Sequence, residues 1–237
     1  MDDTNAGSAG QTGATGIALL SRLVLIGPPG SGKGTQGQVL AKELGIPHVA
    51  TGDLIREIVE AGGEDAERFK AIMATGVFVP DEDVVAIVDK RLSKPDAARG
   101  YLLDGFPRSL EQARLFAATR AGATLQAAIA LEIPVELLVE RLSGRLTCLG
   151  CGASYHEKYR PPVKKTGVCD NCGGALVRRV DDEPVAIRQR LQTYDEKTRP
   201  LIEFYEDQEC LSRIDASGTP ADVHDRLQAL LGVTNDK

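Results

Sequence analysis

The stretch GPPGSGKGT, residues 27–35, constrains the fold of this chain more than any other feature. It follows the apolar run RLVLI and precedes a segment with helical spacing of apolar residues, so it joins a buried strand to a helix. The pattern G-x-x-x-x-G-K in that context is typical of a phosphate-binding loop, where backbone N–H groups and the helix N-terminus surround phosphate oxygens. The predicted phosphate contacts come from Gly30, Ser31, Gly32, Lys33, Gly34 and Thr35.

The loop departs from the usual pattern at one position. Gly34 stands where such loops have Ser or Thr, and Thr35 comes one residue later. This weakens direct ligation of magnesium by a hydroxyl but leaves the phosphate cradle intact. ATPases, GTPases and kinases all use such loops, so the loop does not identify the reaction.

Short apolar runs alternate with helical patterns along the rest of the chain. Further strands are predicted at residues 46–49, 101–104, 125–133 and 211–215, with helices between them. A long helix is predicted over residues 185–210, kinked at Pro200. The alternation predicts an α/β fold, with a mostly parallel sheet covered by helices on both faces.

Charge and composition exclude several classes of protein. The 28 Lys and Arg residues against 34 Asp and Glu residues give a net charge of −6, which argues against general nucleic-acid binding. No apolar run approaches the roughly 20 residues that span a bilayer. Residues 1–20 are small and polar, without the features of a secretion or transit signal, so we expect a disordered extension and a cytoplasmic protein.

Four of the five cysteines form two Cys-x-x-Cys pairs, each followed by glycine: Cys148, Cys151, Cys169 and Cys172. Four thiolates at this spacing suit a closed, tetrahedral structural zinc site. Two disulfides remain an alternative, although a reducing compartment disfavours them. A zinc-ribbon module that binds nucleic acid is a second alternative, since Tyr and Lys residues lie between the pairs.

A carboxylate and a guanidinium follow the strand predicted at residues 101–104. Asp104 ends this strand beside the phosphate loop, where it can hold Mg²⁺ through water. Gly105, Phe106 and Pro107 then bring backbone close to a ligand, and Arg108 offers a fork suited to phosphate. The scattered histidines, His48 among them, receive no role.

Three segments together carry a family resemblance: GPPGSGKGTQ, ATGDLIR and GYLLDGFPRSLEQA. In order and spacing they resemble the nucleoside monophosphate kinases, and among these the adenylate kinases with a long, zinc-containing lid. The resemblance runs from about residue 22 to residue 232. It implies Mg·ATP and AMP as substrates, reversible transfer giving two ADP by direct in-line displacement, and a monomer that binds neither nucleic acid nor membrane.

The resemblance also implies roles for individual residues. An AMP pocket would use Thr51 and Gln112 at the base, Val77, Phe78 and Val79 beside it, and Gly105, Phe106, Pro107, Arg56 and Arg108 around the phosphate. ATP would contact Lys33, Arg141, Arg145, Ser154, Tyr155 and Gly218, while Arg179 and Arg190 would bridge both nucleotides. The catalytic set would be Lys33, Arg108, Arg145, Arg179 and Arg190. For Asp181 and Asp182, magnesium and hinge contacts both stay open.

These expectations divide the chain into functional segments. After the extension, the phosphate-loop core comprises residues 21–49, 81–141 and 181–237, the AMP-binding segment residues 50–80, and the zinc lid residues 142–180. Three alternatives remain: a kinase for another monophosphate such as UMP or CMP, a P-loop ATPase, and the zinc-ribbon module.

Overall fold

The computed structural model describes residues 20–74, 79–178 and 182–233, without the side chains of residues 72–74. The predictions for the extension before residue 20, for Val77 and Phe78, for Arg179 and for Asp181 lie outside the described residues. The described strands are β1 Arg22–Ile26, β2 His48–Ala50, β3 Tyr101–Asp104, β4 Ala127–Glu132, β5 Arg145–Cys148, β6 Ser154–His156, β7 Leu176–Val177 and β8 Leu211–Asp215. The described helices are α1 Lys33–Leu44, α2 Thr51–Ala61, α3 Glu64–Ala74, α4 Asp81–Leu92, α5 Leu110–Ala117, α6 Val135–Ser143, α7 Pro184–Thr193, α8 Leu201–Glu206 and α9 Pro220–Leu231.

Five parallel strands form the main sheet in the order β2-β3-β1-β4-β8. Alternate side chains of these strands enter two separate cores, as expected of a sheet covered on both faces. Val24 and Ile26 of β1 pack in one core, and Leu23 and Leu25 pack in the other. The predicted α/β fold with a parallel sheet is therefore confirmed.

The register of the sheet brings three segments to one edge. Leu25 and Ala50 each pair with Asp104, so β1, β2 and β3 reach their carboxyl ends together. The phosphate loop follows β1, α2 begins directly after β2, and Asp104 closes β3. Ligands of open parallel sheets bind at this edge.

A second, antiparallel sheet of three short strands lies between α6 and α7 in the order β6-β5-β7. We call residues 145–177 the cysteine subdomain. Its buried cluster consists only of Cys148, Ala153, Tyr155 and Cys169, with Leu146 and Leu176 packed against it. So small an apolar core supplies little folding free energy.

The helix predicted over residues 185–210 is wrong as a single element. Helix α7 ends at Thr193, a π-helical turn covers Tyr194–Thr198, and α8 begins at Leu201. In the wide turn, the Arg199 N–H donates to the Tyr194 carbonyl at 2.8 Å. Because Pro200 has no N–H to donate, the regular ladder cannot continue across it, and the wider turn accommodates the break.

Candidate functional site

The phosphate loop leaves β1 and turns into α1 within six residues. Gly32, the residue before the helix, has a φ of 98°, in the left-handed region that favours glycine, and a Cβ there would meet open space. Ser31 is buried, and its N–H donates to the Pro28 carbonyl at 3.1 Å. Thr35 lies in the first turn of α1. The loop therefore places backbone next to the N-terminus of α1, the arrangement that binds anions in phosphate-binding loops.

Lys33 folds back over this loop. Its Nζ donates to the carbonyls of Gly27 and Pro28 at 2.7 and 3.0 Å. Desolvation lowers the pKa of Lys33 to about 8; the Asp104 carboxylate opposes this shift, and three arginine charges add to it. These arginines are Arg108, Arg190 and Arg145. The structure thus gathers four of the predicted catalytic cations, whose mutual repulsion an anionic ligand would relieve.

Asp104 stands beside the loop with its side chain 14% exposed. Burial raises the pKa of Asp104, but His48, Lys33 and Arg108 outweigh burial and hold it below its ordinary value. A Cβ added at Gly34 would lie 3.3 Å from the Asp104 Oδ2. Glycine at this position therefore leaves room for the carboxylate, which explains the departure from the usual loop pattern. An ionised carboxylate next to a phosphate cradle fits water-mediated Mg²⁺.

His48 was given no role from the sequence, yet its Nε2 lies 3.4 Å from the Asp104 Oδ2. The atom is buried and makes no hydrogen bond of good geometry within the described residues. The short strand β2 brings it there, and no local pattern in the sequence indicates that pairing.

Asp182, for which the sequence left magnesium and hinge contacts open, pairs with two arginines in the structure. It accepts from the Arg145 Nε and Nη2 at 2.7 and 2.5 Å, and from the Arg190 Nη1 at 3.0 Å. Its side chain is only 3% exposed. Bidentate pairing fixes the plane of the Arg145 guanidinium. Asp182 therefore holds Arg145 of β5 and Arg190 of α7, both predicted to contact phosphate, in one fixed arrangement.

A second group of candidate residues lies at and after the ends of β2 and β3. Thr51 begins α2 and is 3% exposed, and its Oγ1 is buried without a hydrogen-bond partner in the described residues. A buried hydroxyl left unpaired costs free energy, and a ligand atom at this position would satisfy it. Gln112 is 6% exposed in α5, Phe106 is fully buried, and Val79 is buried nearby in the same core.

The turn after β3 contains the residues predicted to surround the AMP phosphate. Gly105 has a φ of 71°, and a Cβ there would lie 2.9 Å from the Arg108 Nη2. The Phe106–Pro107 peptide is cis. Arg108 is exposed, and its Nε donates to the Gly105 carbonyl at 2.7 Å. Arg56 is not drawn into this cluster; it pairs with Asp53 of its own helix and is exposed.

Two of the residues predicted to contact ATP, Arg141 and Gly218, lie in contact with each other. The Arg141 Nη2, at the end of α6, donates to the Gly218 carbonyl at 2.9 Å. Ser154 and Tyr155 lie on β6 of the cysteine subdomain. Tyr155 is buried, and its hydroxyl lies 3.5 Å from the Cys169 Sγ while accepting from the Asp170 N–H at 2.8 Å.

The four paired cysteines converge on one point. Their Sγ atoms lie within 4.8 Å of one another, with Cys148 to Cys172 at 3.4 Å and Cys151 to Cys169 at 3.6 Å. These separations are far longer than a disulfide of about 2.05 Å, and they approach the roughly 3.8 Å edge of a tetrahedron with metal–sulfur bonds of about 2.3 Å. The Gly150 N–H donates to the Cys148 Sγ at 3.3 Å. The cluster therefore fits a tetrahedral metal ion.

Within the described residues, no helix combines the length and apolar character that crossing a bilayer requires.

Comparison with known proteins gives a consistent result. The family model described as "Adenylate kinase" matches residues 25–210 of this chain. The adenylate kinase of Anaeromyxobacter dehalogenans is 45% identical over 212 residues, covering 89% of this chain and 99% of that relative. The adenylate kinase of Caldicellulosiruptor saccharolyticus is 43% identical over 214 residues, covering 90% and 99%. That of Desulforudis audaxviator is 46% identical over 212 residues, covering 89% and 99%.

Proposed function

The chain belongs to the adenylate kinase family, and on that premise we propose that it transfers a phosphoryl group reversibly between Mg·ATP and AMP, giving two ADP. One observation carries the proposal. Lys33, Asp104 and three arginines are close enough to interact electrostatically beside the phosphate loop, and Thr51, at the same edge of the sheet, has a buried hydroxyl without a partner in the described residues. A kinase needs such a pair of sites, whereas a simple ATPase needs only the first.

The donor site uses the loop backbone and Lys33 for the ATP phosphates. Arg145 adds charge from the cysteine subdomain, and Arg141, Gly218, Ser154 and Tyr155 surround the adenosine of ATP. Mg²⁺ bound with ATP neutralises charge that develops on the phosphates, and Asp104 would hold it through water. Thr35 supports the phosphates from the first turn of α1.

The acceptor site uses Thr51 and Gln112 for the base of AMP, with Val77, Phe78 and Val79 beside it. Arg108 and Arg56 hold its phosphate next to the turn of Gly105, Phe106 and Pro107. Arg56 reaches the phosphate after leaving Asp53, its partner in this structure. Arg179 and Arg190 bridge the two nucleotides. Positioning and charge stabilisation do the chemistry, and no side chain acts as a covalent nucleophile.

The cysteine subdomain acts as a lid over the donor site. It carries Arg145, so its closure completes the charge cluster and excludes water that would otherwise hydrolyse ATP. Zinc is the ion best suited to four thiolates in tetrahedral geometry. We take it to be structural, because its ligation supplies rigidity that the small apolar core of the subdomain cannot. We also propose that the protein is a monomer and that it works in a reducing compartment such as the cytoplasm.

Product analysis with each nucleoside monophosphate tests the proposal. The protein is incubated with Mg·ATP and AMP, UMP, CMP or GMP in turn, and nucleotides are quantified by chromatography. We expect two ADP per AMP consumed, with the other acceptors slow. Lys33→Met should lower the rate by about 100- to 1,000-fold, because it removes a cation from the transferring phosphates.

Lys42→Met is the matched control, since this lysine is exposed in the last turn of the same helix and should leave the rate unchanged. A different preferred acceptor would keep the mechanism and overturn the choice of AMP. Loss of ATP without use of any acceptor would overturn the kinase proposal in favour of an ATPase.

A further inference from the structure

The amide of Gln112 is held in one orientation by two neighbours of opposite hydrogen-bonding character. Its Oε1 accepts from the backbone N–H of Arg108 at 2.8 Å, and its Nε2 donates to the Asp81 Oδ1 at 2.8 Å. A backbone N–H can only donate and a carboxylate can only accept. If the amide oxygen and nitrogen were exchanged, the NH₂ group would face the Arg108 N–H, donor against donor, and the oxygen would face the Asp81 carboxylate, acceptor against acceptor. The orientation therefore follows from the neighbours.

Asp81 is itself fixed. It begins α4, and its second oxygen, Oδ2, accepts from the Ser109 hydroxyl at 2.9 Å. The same Ser109 Oγ accepts from the Gln112 N–H at 3.1 Å as the N-cap of α5. One carboxylate thus connects the helix that follows the AMP-binding segment to the cap of the helix that carries Gln112. Because Gln112 is only 6% exposed, water offers little substitute for these partners.

The two occupied positions determine what the amide offers a ligand. Within the described residues, these two bonds leave one N–H of Nε2 and one lone pair of Oε1 for a ligand. Adenine presents the complementary pair, an exocyclic amino donor next to a ring-nitrogen acceptor. Hypoxanthine and guanine present a carbonyl acceptor next to an N–H donor, so the amide would have to turn over to bind either of them.

We propose that Asp81 is a positioning residue that sets the choice of an amino-purine over an oxo-purine acceptor, by fixing the orientation of the Gln112 amide. This inference rests on the proposed function, in which Gln112 contacts the base of AMP. Asp81 touches no substrate and acts only through Gln112. A site whose buried groups must pair with the substrate rejects an analogue that leaves them unpaired.

The test compares AMP with inosine monophosphate as acceptors at saturating Mg·ATP. In inosine monophosphate a carbonyl and an N1–H replace the amino group and bare N1 of adenine. In Asp81→Asn, the new side chain keeps the shape of aspartate but offers either an acceptor oxygen or a donor NH₂. It can therefore hydrogen-bond to the Gln112 amide in either of its two orientations. We expect the ratio of kcat/KM for AMP to that for inosine monophosphate to fall about 10- to 100-fold, the usual worth of a bidentate base contact. The KM for ATP should stay unchanged.

Two further variants separate positioning from a merely structural role. Asp83→Asn is the matched control, because this carboxylate lies in the same first turn of α4 but pairs with Arg68, and it should keep the wild-type ratio. In a Gln112→Ala background, Asp81→Asn should cause no further change in the ratio, since its effect passes through the amide.

Each outcome distinguishes this inference from the proposed function. If the wild-type protein does not use AMP, the proposed function fails. If the wild type prefers AMP and Asp81→Asn keeps that preference, or loses activity equally with both acceptors, only the role of Asp81 is overturned.

Discussion

At the scale of single residues, the site depends on carboxylates that hold its cations in place. Asp104 lies 3.4 Å from His48 and interacts electrostatically with Lys33, and Asp182 binds Arg145 and Arg190 together. Without these anions, the concentrated positive charge around the phosphate loop would destabilise the protein before nucleotide binds. The carboxylates therefore keep the arginines preorganised for phosphate.

We expect Asp182→Asn to lower kcat about 10- to 100-fold, because Arg145 and Arg190 lose the charge that fixes their planes, and a misplaced donor stabilises the transition state less. Nucleotide dissociation constants should change less than kcat. Steady-state kinetics together with equilibrium titration would show the difference. Asp195→Asn is the control, since Asp195 is exposed and pairs only with Arg199 of its own segment among the described residues. An Asp182→Asn enzyme with wild-type kcat would contradict this role.

At the scale of elements, the cysteine subdomain depends on its metal ligands more than on apolar packing. Strands β5, β6 and β7 contain four, three and two residues, and two of the four buried residues in the cluster are themselves cysteines. Short strands with so little apolar contact do not hold a fold by themselves. We therefore expect metal binding by the four cysteines to contribute to the folding of this element.

We predict that Cys172→Ser removes the bound metal and lowers the melting temperature, because structural zinc contributes about 10–16 kcal/mol of binding free energy to small domains and a missing thiolate forfeits several kcal/mol of it. Elemental analysis should give one metal per wild-type chain and nearly none for the variant. Cys210→Ser lies outside the cluster and should keep the full metal content. A wild-type chain purified under reducing conditions without metal would overturn the metal-dependent account.

At the scale of the whole molecule, the two nucleotide sites share one edge of the main sheet. The register of β1, β2 and β3 places the phosphate loop, Asp104 and the start of α2 side by side. The cysteine subdomain adds Arg145 from a separate sheet, and α7 adds Arg190. Full assembly of the site therefore joins parts of the chain that are far apart in sequence.

A bisubstrate analogue, two adenosines joined by a chain of phosphates, should stabilise the protein more than ATP or AMP alone. Such a ligand engages the arginines of both sites at once, and at 100 times its dissociation constant it adds about 2.7 kcal/mol to the free energy of unfolding. Thermal unfolding at equal concentrations of the three ligands, combined with calorimetric affinities, would measure this, because the tightest ligand is then at the highest multiple of its dissociation constant. An analogue that binds no more tightly than ATP would show that the two sites do not act together.

The sequence by itself determined the fold class, the phosphate loop and the metal-type cysteine spacing. Each of these is a local pattern: a strand, turn and helix within 23 residues, or two short cysteine pairs. Structure can be predicted from such local patterns because backbone geometry and the need for glycine are set within a few residues. The kink predicted at Pro200 falls where the helix is interrupted, but residues 185–210 are not a single helix, because apolar periodicity cannot distinguish a kinked helix from two helices joined by a π-helical turn.

Only the tertiary structure decided which polar side chains pair. Asp182 with Arg145, Asp81 with Gln112 and His48 with Asp104 are separated by 37, 31 and 56 residues along the chain. Such pairs depend on strand register and on the angle at which helices pack, and no residue pattern near either partner encodes them. Burial also arises only on folding, and it determines the unpaired Thr51 hydroxyl and the lowered pKa of Lys33. The sequence thus proposed candidate residues for the site, while the fold decided which of the described ones hold one another.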